Sequence, residues 1–245
     1  MIGARKHPID LESNANKEVA VNILQHGILG ENYYFRTDNP PYMHRAPGAI
    51  AELYVRTGVL EKLLRINKRL MQRGFELYVF DAYRPVEVQT YFHDVWVPDW
   101  LRRVHPDWGD DAIANEVTKY WAASFASKKE IDPMSPPPHA TGAVLDLTLQ
   151  SRESGELLDM GSAFDVVDPI SFADYFERMG EEGALSVNEV FARTNRRILY
   201  HAMSQEGFIV HPNEWWHFGF GDQLSAFHSG QPCAIYSTLW LPDEV

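Results

Sequence analysis

The stretch Ala143-Val-Leu-Asp-Leu-Thr-Leu149 alternates in a way that predicts a strand. Successive side chains of a strand point to opposite faces. Leu145, Leu147 and Leu149 therefore share one face, and Val144, Asp146 and Thr148 share the other. Asp146 is a strand carboxylate turned away from the leucine side. Just upstream, Met134-Ser-Pro-Pro-Pro138 forbids helix and extends the chain before His139. Gly142 then lets the loop that carries His139 fold back toward Asp146.

Elements on either side complete a layered reading. From Gly58 to Gly74, Leu60, Leu63, Leu64, Asn67, Leu70 and Met71 recur at helical spacing, so an amphipathic helix closed by Gly74 is expected. Phe75-Glu-Leu-Tyr-Val-Phe80 follows as a short strand and delivers Asp81-Ala-Tyr-Arg84-Pro85 to its end. Residues 86 to 132 read as helical. Their aromatic residues Tyr91, Phe92, Trp96, Trp100, Trp108, Tyr120, Trp121 and Phe125 are weighted toward core packing. Ser186-Val-Asn-Glu189 is a capping box that opens a helix running through Phe191, Ile198 and Ala202 to about Gly207. Phe208-Ile-Val-His211 is a strand, and Asn213-Glu-Trp-Trp-His-Phe-Gly219 turns and continues the sheet. The expected fold class is α+β, a single domain over 1–245 whose central antiparallel or mixed sheet is flanked by helices, with a loop-rich N-terminal segment at about 1–57.

The chain has 245 residues, 45% hydrophobic and 23% charged, which is the composition of a folded globular protein rather than a disordered one. Its formal charge of -12 comes without any basic stripe, which argues against nucleic acid and anionic membrane as partners. Cys233 is the only cysteine, so no intramolecular disulfide forms, and a buried small hydrophobe is its expected role. The segment Met1-Ile-Gly-Ala-Arg-Lys-His-Pro8 soon turns polar, and no run reaches the roughly 20 apolar residues of a membrane span. A cytoplasmic location is the default expectation. Oligomeric state is not readable from the sequence.

The chemistry concentrates in His139, Asp146 and the segment Glu214-Trp-Trp-His217. Two imidazoles and a carboxylate are a sound ligand set for zinc, and three protein ligands leave one position open, as catalytic sites require. Zinc lowers the pKa of bound water from about 15.7 to roughly 7, and the spare Glu214 is the candidate general base. On a regular strand positions 214 and 217 face opposite ways, so a bulge or turn is predicted between them. Arg84 is the candidate electrophile, a fixed guanidinium able to steady a developing oxyanion. Spacing by itself leaves a structural polar network about as good a reading as a metal site. His7, His26, His44, His93, His105, His201, His211 and His228 are read as structural, with His211 the hardest to dismiss because it precedes the Glu-Trp-Trp-His segment.

Taken together, the segments Asp81-Ala-Tyr-Arg84-Pro85, His139-Ala-Thr-Gly142-Ala-Val-Leu-Asp146-Leu147, Asp159-Met-Gly-Ser-Ala-Phe-Asp165 and Glu214-Trp-Trp-His217 resemble the D-alanyl-D-alanine dipeptidases, zinc peptidases of the vancomycin-resistance type. The resemblance spans roughly residues 30 to 220, and just before His139 this chain has Pro137 where the family tends to have Ser. It implies one zinc ion on His139, Asp146 and His217, Glu214 as base and Arg84 at the tetrahedral intermediate. It further implies a small D-dipeptide substrate whose free ammonium meets Asp165, with Tyr83 as a second substrate contact. A zinc D,D- or L,D-carboxypeptidase or endopeptidase acting on cell-wall peptides is the nearest alternative. A non-catalytic zinc-containing peptide-binding protein comes after it.

Overall fold

The computed structural model describes residues 3–120, 124–183 and 185–241. A five-stranded mixed sheet forms its centre, in the order β2 (Leu29–Gly30), β4 (Phe75–Asp81), β5 (Val144–Ser151), β7 (Glu214–Gly219) and β6 (Ile209–His211). Only β2 runs parallel to its neighbour; the other pairings are antiparallel. A separate two-stranded ladder joins β1 (Ala20–Asn22) to β3 (Tyr54–Arg56). The expected α+β class with a mixed sheet is what the chain adopts.

Strand β5 is the middle of the sheet, and residues 144 to 149 are buried on both faces. That explains the apolar run on the leucine side, which packs into the main core with Leu63, Leu70, Leu77 and Phe218. Helix α1 (Thr57–Met71) packs on β4. Its buried face is Val59, Leu60, Leu63, Ile66, Asn67 and Leu70. The expected stripe was slightly rotated, because Leu64 and Met71 are exposed instead. Asn67 is buried for a reason: its side-chain oxygen accepts from the Leu77 amide at 2.8 Å and so ties helix to strand.

The stretch expected to be helical from 86 to 132 breaks into α2 (Val86–Tyr91), a π-helical turn (Phe92–Trp96), α3 (Val97–Val104) and α4 (Asp110–Tyr120). Phe92 is fully buried, Tyr91, Trp96 and Trp100 pack against the main core, and Phe125 packs on a smaller cluster, as expected, whereas Trp108 is exposed. Trp121 lies outside the described residues. On the far side, α5 (Tyr175–Glu182) precedes α6 (Val187–Ser204), which opens on the expected capping box with both reciprocal bonds made. Ala192, Leu199 and Met203 form its buried stripe, whereas Phe191 is exposed. A short α7 (Gln223–His228) follows the sheet, and Cys233 is half-buried rather than buried.

Two buried arginines hold the loops that matter. Arg56 donates to the carbonyl oxygens of Thr141, Asn16 and Ser237, each at 2.8 Å, and its amide bonds Gly142 O at 2.9 Å. The 3₁₀ turn Pro138–Thr141, which carries His139, is thereby fixed against the sheet. Arg196 does the same for the segment before α5, bonding Met160 O at 2.7 Å, Ile170 O at 2.8 Å and Phe172 O at 3.0 Å.

Gly142 adopts a left-handed φ of 66°, and a Cβ there would stand 2.4 Å from Leu239 Cδ2. Gly142→Ala therefore combines backbone strain with overpacking and should cost about 2 kcal/mol or more. Thermal denaturation checks this; a melting temperature equal to that of the wild type would contradict it.

Candidate active site and metal centre

Strand register builds the site. Asp146 on β5 is paired with His217 on β7 and, on its other side, with Asp81 on β4. The Asp81 pairing depends on a bulge: Val79 faces Leu147, yet two residues later Asp81 faces Asp146 only one step along. Without that extra residue Asp81 would lie on the leucine side, since a slip of one position reverses a strand's faces. A second irregularity separates Glu214, paired with His211, from Phe218, paired with Val210. This is the predicted break between positions 214 and 217. It lets Glu214 Oε2 approach His217 Nδ1 to 3.2 Å.

His139, Asp146 and His217 are all buried, and their ligand atoms lie within 4.8 Å of one another. His139 Nδ1 bonds Ala82 O at 2.9 Å and lies 3.3 Å from Asp81 Oδ2, so its Nε2 faces inward, 3.4 Å from Asp146 Oδ2. His217 presents Nδ1 to Asp146 Oδ1 at 3.2 Å. Asp146 Oδ1 nevertheless takes no hydrogen bond despite full burial. A buried carboxylate oxygen without a donor between two imidazoles is the arrangement a divalent cation would satisfy, and the N/O ligand set suits zinc.

The charges around the trio are consistent with that. Burial opposes ionisation of Asp146, but His139 and His217 more than offset it and hold its pKa far below the usual carboxylate range. Burial also disfavours the His217 cation, yet the close approach of the Asp146 and Glu214 carboxylates raises its pKa to about 10.

Arg84 lies against the trio, its Nε on Asp81 Oδ2 at 2.8 Å and its Nη2 on Asp146 Oδ2 at 3.3 Å. Burial works against its charge, but Tyr34, Asp81 and Asp146 raise its pKa further. The same Nη2 donates to the Tyr34 hydroxyl at 3.2 Å, and that hydroxyl donates to Asp165 Oδ2 at 2.7 Å. Tyr42 donates to the same oxygen at 2.5 Å. Asp165 adopts a left-handed φ of 62°, and burial raises its pKa to about 6 despite the Tyr42 and Arg84 contacts.

All of these groups except Asp81 and Tyr34 open onto one cavity of about 500 Å³. Tyr83 does not line it, contrary to expectation. Its ring is buried on the other side of the backbone, where the hydroxyl accepts from Lys128 Nζ at 2.6 Å. Alternation explains this, because neighbouring residues at a strand end point apart.

The fold also brings in residues to which the sequence assigns no role, among them Asp81 at the end of β4. Tyr34 and Tyr42 come from the N-terminal loops, where no periodicity flags them. Trp96, Trp100 and Trp216 line the cavity instead of serving the core alone. His211 is a wall residue too, its ring 5.2 Å from that of His217, and burial lowers its pKa to about 4. Its position three residues before Glu214 was the available signal.

A family profile described as D-Ala-D-Ala dipeptidase, peptidase family M15, matches residues 15–235. The chain belongs to that family. A D-alanyl-D-alanine dipeptidase of Synechocystis sp. is 34% identical over 200 residues, covering 78% of this chain and 76% of the relative. One from Enterococcus faecium is 28% identical over 165 residues, covering 66% and 71%. A solved structure of VanYB in complex with D-Alanine-D-Alanine aligns at 15% identity and a TM-score of 0.42, over 74% of this chain and 81% of that one. That likeness is too loose to bear on the site.

Family membership leaves Asp81 open to a direct test. Asp81→Asn removes the charge that orients His139, and losses of such supporting groups typically weaken metal affinity about 10- to 100-fold. Competition with a chromogenic chelator should show zinc binding weakened by about that factor. Equal affinities would remove Asp81 from the metal centre.

Proposed function

We propose that this chain is a zinc-dependent D-Ala-D-Ala dipeptidase, a single peptidase domain that holds one ion on His139, Asp146 and His217. The observation that carries the reading is the convergence of these three buried groups within 4.8 Å, with Glu214 3.2 Å from the second imidazole, in a member of the dipeptidase family. A metal held only for structure would need neither the adjacent free carboxylate nor Arg84. Zinc bound there supplies a Lewis acid that polarises the scissile carbonyl and acidifies water.

The remaining steps belong to side chains. Glu214 lies deep in the site, and His211 and His217 outweigh the cost of burial to lower its pKa, so it is ionised at neutral pH. It accepts the proton of the attacking water and later returns it to the leaving amine. Arg84, locked between Asp81 and Asp146, is aimed before substrate arrives and steadies the oxyanion without reorganising. Asp165 receives the substrate ammonium. Both tyrosines donate to its Oδ2, which leaves Oδ1 for the ligand. Tyr42 and Trp96 line the cavity beside it, and an acylated N-terminus would leave the buried Asp165 carboxylate without a cation to pair with. No helix among the described residues is long and apolar enough to cross a membrane. With a lone, unpaired cysteine, the cytoplasm is the compartment we assign.

Hydrolysis of D-Ala-D-Ala, its N-acetylated form and L-Ala-L-Ala, with zinc-loaded and chelated protein, tests the reading. Zinc-dependent cleavage confined to the free D,D-dipeptide is expected, whereas cleavage of the blocked peptide would assign a carboxypeptidase instead. Glu214→Ala should lose turnover by a factor of about 10² or more while keeping its zinc; retained activity would dismiss it as the base.

Asp165 adds a pH signature. A carboxyl group with pKa about 6 is half-neutral at that pH and ionises as pH rises, and an ammonium binds only the ionised form. The KM for the free dipeptide should therefore fall as pH rises through about 6. Asp165→Asn should abolish that limb; persistence of the same limb in the variant would assign it to another group.

A further inference from the structure

The cavity has a second end that the roles above leave unexplained. Residues Ala4–Lys6 form a 3₁₀ turn packed against α7, ahead of the residues that match the family profile, and Ala4 and Arg5 both line the cavity. The turn is held by its backbone. Gln223 Nε2 donates to Arg5 O at 3.1 Å, to His7 O at 2.6 Å and to Met134 O at 3.0 Å, and Ser135 Oγ donates to Arg5 O at 3.5 Å. With its amide so engaged, Gln223 serves the strap and not a ligand.

The wall beside this strap is poor in donors. Pro136 and Pro138 line it, and prolines have no amide hydrogen to offer an anion. Thr141 Oγ1, also in the wall, donates to Pro138 O at 2.6 Å. Arg5 and Arg84 are the only Arg or Lys residues among those described that line the cavity, and Arg84 is already engaged by Asp81 and Asp146. Arg5 forms no ion pair or side-chain hydrogen bond with any described residue. It is exposed at the edge of the cavity, and partial burial lowers its pKa. A dipeptide that places its ammonium at Asp165 and its scissile carbonyl beside Arg84 must direct its carboxylate to some other part of the cavity.

We propose that Arg5, presented by the N-terminal strap, is a specificity residue that receives the C-terminal carboxylate of the substrate. The proposal rests on the dipeptidase reading and adds the anion end of the recognition. A planar guanidinium meets a carboxylate with paired donors, and the strap's attachment through main-chain carbonyls leaves this side chain replaceable without disturbing the fold.

The test compares D-Ala-D-Ala with its C-terminal amide in the wild type, Arg5→Met and Arg5→Lys. Kinetics of the zinc-loaded enzymes give the KM-against-kcat split, and calorimetry on the metal-free proteins gives binding without turnover. A charge-assisted hydrogen bond lost from a carboxylate corresponds to about a 10- to 100-fold effect. Arg5→Met should raise KM for the free acid by that factor with kcat little changed, leave the amide within about twofold, and be partly rescued by Arg5→Lys. An acid-to-amide preference that is the same in Arg5→Met as in the wild type, by either measurement, would overturn the assignment. Failure of the wild type to cleave either compound would overturn the dipeptidase reading instead, and the calorimetric comparison would then decide Arg5 by itself.

Discussion

A carboxylate kept ionised inside the sheet is the constraint on which the rest of the molecule turns. Asp146 is 2% exposed, so its charge is tolerable only because imidazoles and a guanidinium approach it from several sides. Leaving a buried charge unpaired costs several kcal/mol. Each partner must therefore arrive from a different part of the chain: Arg84 from the end of β4, His139 from the loop before β5, His217 from β7. Folding the sheet in register and assembling the site are the same event.

The two bulges show how a regular sheet was adapted to that demand. In a perfect ladder, Asp81 would join the leucines and Glu214 would turn away from His217. An extra residue in β4 and several in β7 move both carboxylates to the polar side. The result is a row of acids matched by bases. The aromatic enclosure at Asp165 works by a different principle. It removes water, and that burial raises the pKa of the carboxyl group to about 6.

Much of this was legible in the sequence where the signal is local. The alternation around Asp146, the capping box at Ser186 and the incompatibility of Glu214 and His217 on one regular strand all follow from short-range geometry. The convergence of His139, Asp146 and His217 was legible because ligand chemistry limits which residue types could serve a metal together. What escaped depends on contacts between distant segments. Tyr34 and Tyr42 reach Asp165 across more than a hundred residues, and nothing in their own neighbourhoods marks them. Trp96 and Trp100 fit a helical stripe, but the π-helical turn at Phe92–Trp96 comes between α2 and α3, and both rings line the cavity. Tyr83 misled for the opposite reason: adjacency to Arg84 in the chain means divergence in space.

The loops that carry His139 and precede α5 are held in place by Arg56 and Arg196, whose bonds run mainly to main-chain oxygens. Every amino acid supplies that acceptor. The paths of these loops are thus specified by two side chains lying elsewhere, while the identity of most loop residues carries no weight in the anchoring. Such a scaffold is permissive to drift: substitutions can accumulate along the rim and retune what the cleft accepts, while the backbone that presents the reactive groups stays on course.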